Sequence, residues 1–165
     1  MSPRPPAARA SGFTLVEVMV VLALSAIVTL GIVAFYLSAQ QTWTESSAQA
    51  LAQRDATAVL EAMSRRVHES ASALVDSANG TVYLFNPDMS ERARFFLSGA
   101  DSLIHYGEGG KLDLGPVAPT RVLRFQCSVI DTLGLLSVDT LRVLAASGTI
   151  VTLHSTMGTY NWTPK

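Results

Sequence analysis

The sequence predicts an α+β fold in which a long N-terminal helix, membrane-spanning in its first half, packs on a C-terminal antiparallel β-sheet domain. Residues 18–37 form an apolar run of twenty residues without a charged side chain. An amphipathic pattern with the period of a helix follows this run. Beyond Gly80, short β-prone runs alternate with turn residues. These observations divide the 165 residues into a leader, two helical segments and one globular domain.

The leader, residues 1–12, is short and basic. It contains Arg4 and Arg9 and no acidic residue. Positive charge beside a first membrane span keeps that end of a chain in the cytoplasm. The rest of the chain is therefore expected on the other side of the membrane.

Residues 13–37 are predicted to form a transmembrane helix. At 1.5 Å per residue, twenty apolar residues make about 30 Å of helix, which matches the hydrocarbon thickness of a bilayer. A secretory signal has a shorter apolar core, about 7 to 15 residues long. Glu17 is the only charged residue between Ser11 and Thr44. A carboxylate inside an apolar span costs on the order of 3 kcal/mol, so we expect Glu17 to have a partner.

Residues 38–79 are predicted to continue this helix outside the membrane, with one apolar side. The apolar positions recur at helical spacing and are Ala52, Ala56, Val59, Leu60, Met63 and Val67. The helix is expected to run to about Ser70, and the turn-forming residues 77–80 then supply a stop, with Gly80 suited to a left-handed turn. One face of the following sheet is the expected partner of the apolar stripe.

Residues 80–165 are predicted to form a β-rich globular domain. The predicted strands are 81–86, 93–97, 103–106, 122–129, 140–145 and 149–154. Parallel strands need crossover connections, and no helical pattern separates these runs, so we expect antiparallel pairing. Ser147 and Gly148 predict a hairpin loop.

Composition and motifs argue against several classes of function. The net charge is −1 and no cluster of basic residues occurs, which argues against nucleic-acid binding. The single cysteine, Cys127, cannot form an internal disulfide and is expected to be a small buried hydrophobic residue. The sequence contains no catalytic or nucleotide-binding motif, so we expect neither enzymatic activity nor a cofactor.

No metal site is predicted. The histidines, which lack the spacing of metal ligands and are expected to be ordinary surface or strand-end residues, are His68, His105 and His154. Four aspartates would hold a calcium ion only if loops brought them together, and solvated loop acids are the simpler interpretation; they are Asp101, Asp113, Asp131 and Asp139.

The most specific pattern lies at the start of the apolar run. The residues read Gly12-Phe13-Thr14-Leu15-Val16-Glu17, and the short basic leader precedes them. This box and the apolar helix behind it resemble the type IV prepilin family, which includes type IV pilins and the pseudopilins of type II secretion. The resemblance covers residues 1–37, and a helix followed by a β-domain is similar to the family's pilin-like architecture.

The resemblance implies roles for three residues. A prepilin peptidase would cut between Gly12 and Phe13, and the new amine of Phe13 would be N-methylated. Glu17 would take part in assembly by pairing with that amine on a neighbouring subunit. Such a pair would offset the cost of the carboxylate and fix the register between subunits. The alternative is that Glu17 lies in the headgroup layer, where the dipole of its own helix favours an anion.

Assembly would bury the apolar helix against other subunits. The positions expected to pack are Leu15, Val16, Val20, Leu24, Ile27 and Gly31. Gly31 is either a place where the helix loosens during packing or an ordinary glycine of a membrane helix. The implied partners are a prepilin peptidase, other pilin or pseudopilin subunits, membrane lipid before assembly and, indirectly, an inner-membrane platform with its ATPase.

The implied location is the bacterial inner membrane, with a single span, a cytoplasmic N-terminus and a periplasmic or external β-domain, and then a filament. Major type IV pilins commonly carry a C-terminal disulfide that one cysteine cannot form, so a minor pilin or a pseudopilin is favoured. The sequence does not distinguish type II secretion from a type IV or competence pilus. The alternative function is an uncleaved, membrane-anchored binding module that does not polymerise, although it leaves the position of Glu17 unexplained.

Overall fold

The computed structural model describes residues 12–110, 113–130 and 134–159. The elements are α1 (Leu15–His68), β1 (Ser72–Asp76), β2 (Thr81–Phe85), β3 (Glu91–Leu97), β4 (Ile104–Glu108), β5 (Val122–Ile130), β6 (Leu135–Leu144) and β7 (Ile150–Gly158). All the strand pairings are antiparallel, so the predicted α+β class and the predicted pairing are confirmed. The chain divides into two compact units, Met1–Trp43 and Thr44–Lys165.

In the first unit, residues 15–43 form the start of α1, and they and residues 12–14 are exposed throughout. The segment is apolar on every side, and α1 is the one helix of the described chain that is long and apolar enough to cross a membrane. Two of its hydroxyls bond within the helix: Thr29 donates to the carbonyl of Ser25 at 2.7 Å and Thr42 to that of Ser38 at 3.0 Å. Such internal bonds suit a helix in a medium without water.

In the second unit, α1 buries the apolar stripe that its spacing predicts. Five of the six stripe positions are buried and the sixth, Leu60, is half-buried. Met63 and Val67 are completely inaccessible to solvent. The stripe packs with buried residues of both sheets, among them Val82, Leu84, Phe95, Ile104, Leu136, Val138, Leu141 and Val143.

The helix ends within two residues of its expected end near Ser70, but a strand that was not predicted follows it inside the segment assigned to the helical continuation. The sequence places the helical continuation at 38–79, whereas α1 ends at His68 and β1 follows. The Ser70 hydroxyl donates to the carbonyl of Arg66 at 2.6 Å and so closes the last turn. The amide of the next residue already bonds to β2. β1 was missed because residues 69–79, between the end of the helix and Gly80, contain no glycine or proline.

β1 to β4 form a four-stranded sheet in chain order, with β1 and β4 at its edges. Gly80, at a φ of 60°, makes the left-handed turn predicted for it, between β1 and β2. Residues 113–117, called the edge strap, run along the free edge of β4. The Leu114 amide donates to the carbonyl of Tyr106 at 2.8 Å, and the Val117 amide to that of Ile104 at 2.8 Å. The strap therefore satisfies backbone groups that an edge strand otherwise leaves unpaired.

β5, β6 and β7 form a three-stranded sheet with β6 in the centre. The predicted hairpin loop is confirmed, because Gly148 turns the chain between β6 and β7 with a φ of 84°. β6 begins at Leu135, five residues before the predicted start at 140. The first part of β6 was missed because Ser137 and Asp139 interrupt the apolar run. Both residues face outward on a strand whose other face is buried.

Candidate functional site

The start of α1 is fixed by a side-chain cap. The Glu17 amide donates to the Thr14 hydroxyl at 3.3 Å, and the Val18 amide donates to the Thr14 carbonyl at 3.2 Å. Thr14 is therefore the N-cap residue, and the first helical residue is Leu15. The cap leaves Gly12 and Phe13 outside the helix, in chain that forms neither helix nor strand.

Gly12 is not required by the local geometry of the chain. A Cβ built at Gly12 meets no atom within 4 Å, and its φ lies outside the left-handed region. Phe13 is 83% exposed, so both residues beside the Gly12–Phe13 bond are accessible. A requirement for glycine at this position would therefore come from whatever acts on the bond rather than from the fold of this chain.

Glu17 lies in the first turn of α1, where its carboxylate benefits from the helix dipole. Its amide is bonded to Thr14, and among the described residues its carboxylate forms no ion pair. The side chain is exposed at the rim of an apolar surface that begins with Phe13. A lone carboxylate in this position is free to pair with a cation from outside the chain.

The six predicted packing positions all lie on this exposed helix. The five large side chains among them are between 51% and 78% exposed, and a Cβ added at Gly31 meets nothing within 4 Å. A continuous apolar surface of this kind indicates contact with lipid or with another protein. The structure thus gives these positions no partner within the described part of the first unit.

Comparison with known proteins identifies the same segment. Residues 7–33 match the family model of the prokaryotic N-terminal methylation motif. The chain carries the prepilin-type signature of type IV pilins and pseudopilins. The predicted resemblance is thereby confirmed for this segment, and it points to a structural, pilin-like subunit rather than an enzyme. No curated protein and no solved structure matches the chain.

The prepilin-type segment contains all the residues to which the sequence assigns a role in processing and assembly. Gly12, Phe13 and Glu17 lie within the matched residues, as do the six packing positions. Thr14 was given no role of its own, although the signal was readable. Threonine followed three residues later by glutamate, just before an apolar run, is the sequence pattern of a capping box.

A second polar cluster, outside the prepilin-type segment, surrounds His105 in β4. Its Nδ1 lies 2.7 Å from an Asp113 carboxylate oxygen and its Nε2 lies 2.8 Å from an Asp101 oxygen. The ring is only 8% exposed and lies beside the Phe96 ring. Burial lowers the pKa of His105, but the two carboxylate bonds outweigh it and raise the pKa above the usual value.

His105 lies at the start of β4, as a strand-end residue does, but it is buried and bonded on both sides rather than ordinary. Asp113 belongs to the edge strap and Asp101 to the turn before β4, so His105 ties both connections to the strand. The bond to His105 also lowers the pKa of Asp101. The separation in sequence concealed the cluster, because only the fold brings Asp113 beside β4.

Among the described residues, the groups considered for chemistry form no cluster that could hold a metal ion. Two of the four aspartates flank His105, and Asp139 instead accepts the Ser128 hydroxyl at 3.0 Å in the three-stranded sheet. Asp131 lies outside the described residues. Cys127 is half-buried, and burial raises the pKa of its thiol to about 12. The thiol is therefore protonated and unreactive at neutral pH.

Proposed function

We propose that this chain is a prepilin-like structural subunit, a minor pilin or a pseudopilin, that assembles through its N-terminal helix into a type IV pilus or a type II secretion pseudopilus. A prepilin peptidase cuts between Gly12 and Phe13, and the Phe13 amine is N-methylated. The subunit waits in the bacterial inner membrane with its N-terminus in the cytoplasm and its β-domain outside. A platform with its ATPase then transfers it into the filament.

The match of residues 7–33 to the prokaryotic N-terminal methylation motif carries this proposal. The exposed Gly12–Phe13 bond ahead of a capped helix supports cleavage, because a peptidase needs an accessible bond in non-helical chain. The lone Glu17 carboxylate supports pairing with the Phe13 amine of a neighbouring subunit. The exposed apolar helix supports transfer from lipid to a bundle of helices, where packing rather than hydrophobic gain gives specificity.

The test is processing in a defined membrane. The full-length chain is expressed with and without an active prepilin peptidase, and the N-terminus of the membrane-bound product is sequenced and weighed by mass spectrometry. We expect a new end at Phe13, with a mass increase of one methyl group, only when the peptidase is present.

Two variants make this test specific. Gly12→Leu is expected to abolish cleavage without altering the fold, since a side chain at this position meets open space. Ala10→Leu is the matched control, with the same bulk two residues away from the bond. An intact Met1 end in the presence of active peptidase would overturn the proposal in favour of the uncleaved, membrane-anchored binding module.

A further inference from the structure

The outer face of the three-stranded sheet presents two arginines directly opposite each other. Arg124 of β5 pairs in register with Arg142 of β6, and the buried residues Phe125 and Leu141 pair beside them. Because side chains alternate between the faces of a sheet, both arginines lie on the face turned away from the core. Residues directly opposite in an antiparallel sheet have Cβ atoms about 5 Å apart, so both guanidinium groups reach the same space. These two residues are called the arginine pair.

A bulge in β5 brings Arg124 to this face. The register between β5 and β6 shifts between Val122 and Arg124, which makes Leu123 an extra residue in β5. Leu123 and Arg124 are therefore both exposed, whereas a regular strand continuing from the buried Val122 would turn Arg124 inward. Bulges re-aim side chains in this way and are frequent beside functional sites.

The arginine pair has no compensating charge within the described chain. Like charges directly opposite in an antiparallel sheet are destabilising. None of the ion pairs of the described residues includes Arg124 or Arg142. Asp139 is the acidic residue of the described part of β5, β6 and β7, and its carboxylate accepts the hydroxyl of Ser128, which lies four residues beyond Arg124 in β5. A local rule broken without a gain inside the chain is typical of a functional site.

Neutral hydrogen-bond donors lie beside the arginine pair. Thr152 of β7 is exposed and pairs in register with Arg142. Gln126, the next outward residue of β5 after Arg124, is also exposed and pairs with the half-buried Thr140 of β6. Hydroxyl and amide groups can each donate a hydrogen bond to an oxygen atom. This part of the face therefore combines two cations with neutral donors.

The number of donors and the charge select the ligand. One guanidinium fork already engages both oxygens of a carboxylate through two parallel bonds, so two forks match an anion with more oxygens. A phosphate monoester has three terminal oxygens and a charge of about −1.5 to −2 at pH 7, which balances two arginines. A phosphate diester has two terminal oxygens and a single charge, and it leaves one arginine uncompensated.

We propose that the arginine pair binds the phosphate group of a phosphate monoester. The bound group removes the repulsion between Arg124 and Arg142 and accepts hydrogen bonds from both forks. The site lies within the second unit and does not rest on the proposed filament function.

Titration of the full-length chain with methyl phosphate, a minimal monoester, tests the site. The chain is kept in an uncharged detergent at constant ionic strength, and the Nε–Hε groups of Arg124 and Arg142 are followed by NMR. Both signals are expected to shift together and to saturate with one dissociation constant. Dimethyl phosphate, a diester, is expected to bind about tenfold more weakly or worse, because it loses a charge-assisted bond.

Substitutions separate binding from folding. Arg124→Gln is expected to weaken methyl phosphate binding by about tenfold or more. Its thermal unfolding midpoint is expected to stay the same or to rise, because the repulsion within the pair disappears. Arg142→Lys keeps the charge without the fork and is also expected to bind more weakly. Arg54→Gln is the matched control, with the same loss of charge at an exposed position of α1, and should bind as the natural chain does.

The charge of the ligand gives a second signature. Between pH 7.5 and pH 5 the affinity for methyl phosphate is expected to fall about tenfold, because a second pKa of about 6 leaves about a tenth of the ester as a dianion. The titratable side chains exposed on the described part of this face are His154 and Asp139, so sulfate, a dianion at both pH values, serves as the reference. The affinity for sulfate is expected not to fall.

Three outcomes would overturn the proposal or its ligand. Shifts that do not saturate, or that are unchanged in Arg124→Gln, would mean an adventitious ion only. Equal binding of dimethyl phosphate, or an equal fall for sulfate at pH 5, would exclude the monoester dianion as the ligand. A phosphoserine peptide then distinguishes the sources of the same chemistry: tighter binding than that of methyl phosphate would assign the site to a phosphorylated protein, and equal binding to the ester group alone.

Discussion

Residues 15–43 and residues 44–68 belong to the same helix but meet opposite surroundings. Every residue of the first stretch is exposed and nearly all of them are uncharged, whereas the second stretch buries one stripe and exposes charged residues on its other sides. Both stretches are helical, although the first is richer in valine, isoleucine and threonine, which are weaker helix formers. The difference teaches that the distribution of apolar residues decides where a helix finds its partner: inside the chain for the stripe, and outside it for the uniformly apolar stretch.

The largest expected difference between the two stretches comes from truncating one large side chain in each. Met63→Ala removes a completely buried side chain and is expected to destabilise the β-domain by about 2–5 kcal/mol, because the cavity adds to the lost burial. Leu30→Ala removes a side chain that is 70% exposed and is expected to leave the unfolding midpoint unchanged. Thermal unfolding of the detergent-solubilised chain, followed by circular dichroism, measures both variants. Equal effects would mean that Leu30 has a partner within the chain.

Glu17 tests whether the first stretch binds partners outside the chain, because it is the one charged residue in that stretch. Glu17→Ala is expected to leave cleavage intact and to reduce filament recovery about a hundredfold, because the neighbour's Phe13 amine loses its partner, and breaking a buried charge pair from one side costs about 3 kcal/mol. Glu17→Gln keeps the size and polarity of the side chain and is expected to fail equally, since the pairing needs the charge. Normal assembly of the Glu17→Gln variant would mean that the side chain acts as a neutral hydrogen-bonding group and that its charge is not needed.

The comparison also shows which features of the fold can be predicted from the sequence. The apolar run, the buried stripe and the antiparallel pairing were predicted because each leaves a periodic pattern in the residues themselves. The strand β1 was missed because neither glycine nor proline separates it from the end of α1. The cluster around His105 could not be predicted, since it depends on the edge strap returning to β4. In the prepilin-type segment the residues that are assigned a role are local in sequence, so the motif alone is enough to predict them.

The Thr14 cap defines where the exposed stretch begins, and its removal has a smaller effect. Thr14→Ala deletes the hydroxyl that accepts the Glu17 amide and is expected to cost about 1 kcal/mol at the first turn. Amide exchange at Glu17 and Val18 should accelerate about fivefold, since 1 kcal/mol corresponds to that factor. Thr14→Ser keeps the hydroxyl and should exchange at the natural rate. Identical exchange in the two variants would exclude the cap.

The smallest expected effect is a change of stability with pH. It is confined to the second unit, which contains His105. The pKa of His105 is raised by its two carboxylates, so the stability that its charged ring provides is fully present below the ordinary histidine pKa of 6.5. It is lost as the pH rises through the raised value, when one of the two bonds loses its proton. A neutral ring still donates one bond, which is why the effect is modest.

Amide exchange in the edge strap measures the titration of His105. The amides of Leu114 and Val117, which bind the strap to β4, should gain more exchange with rising pH than base catalysis alone produces. Phe95, buried in the neighbouring strand β3, provides a reference amide that should follow base catalysis only. His105→Gln should remove the extra pH dependence from the strap. Titration of His105 at or below pH 6.5 by NMR would contradict this account, because the carboxylates would then not outweigh burial.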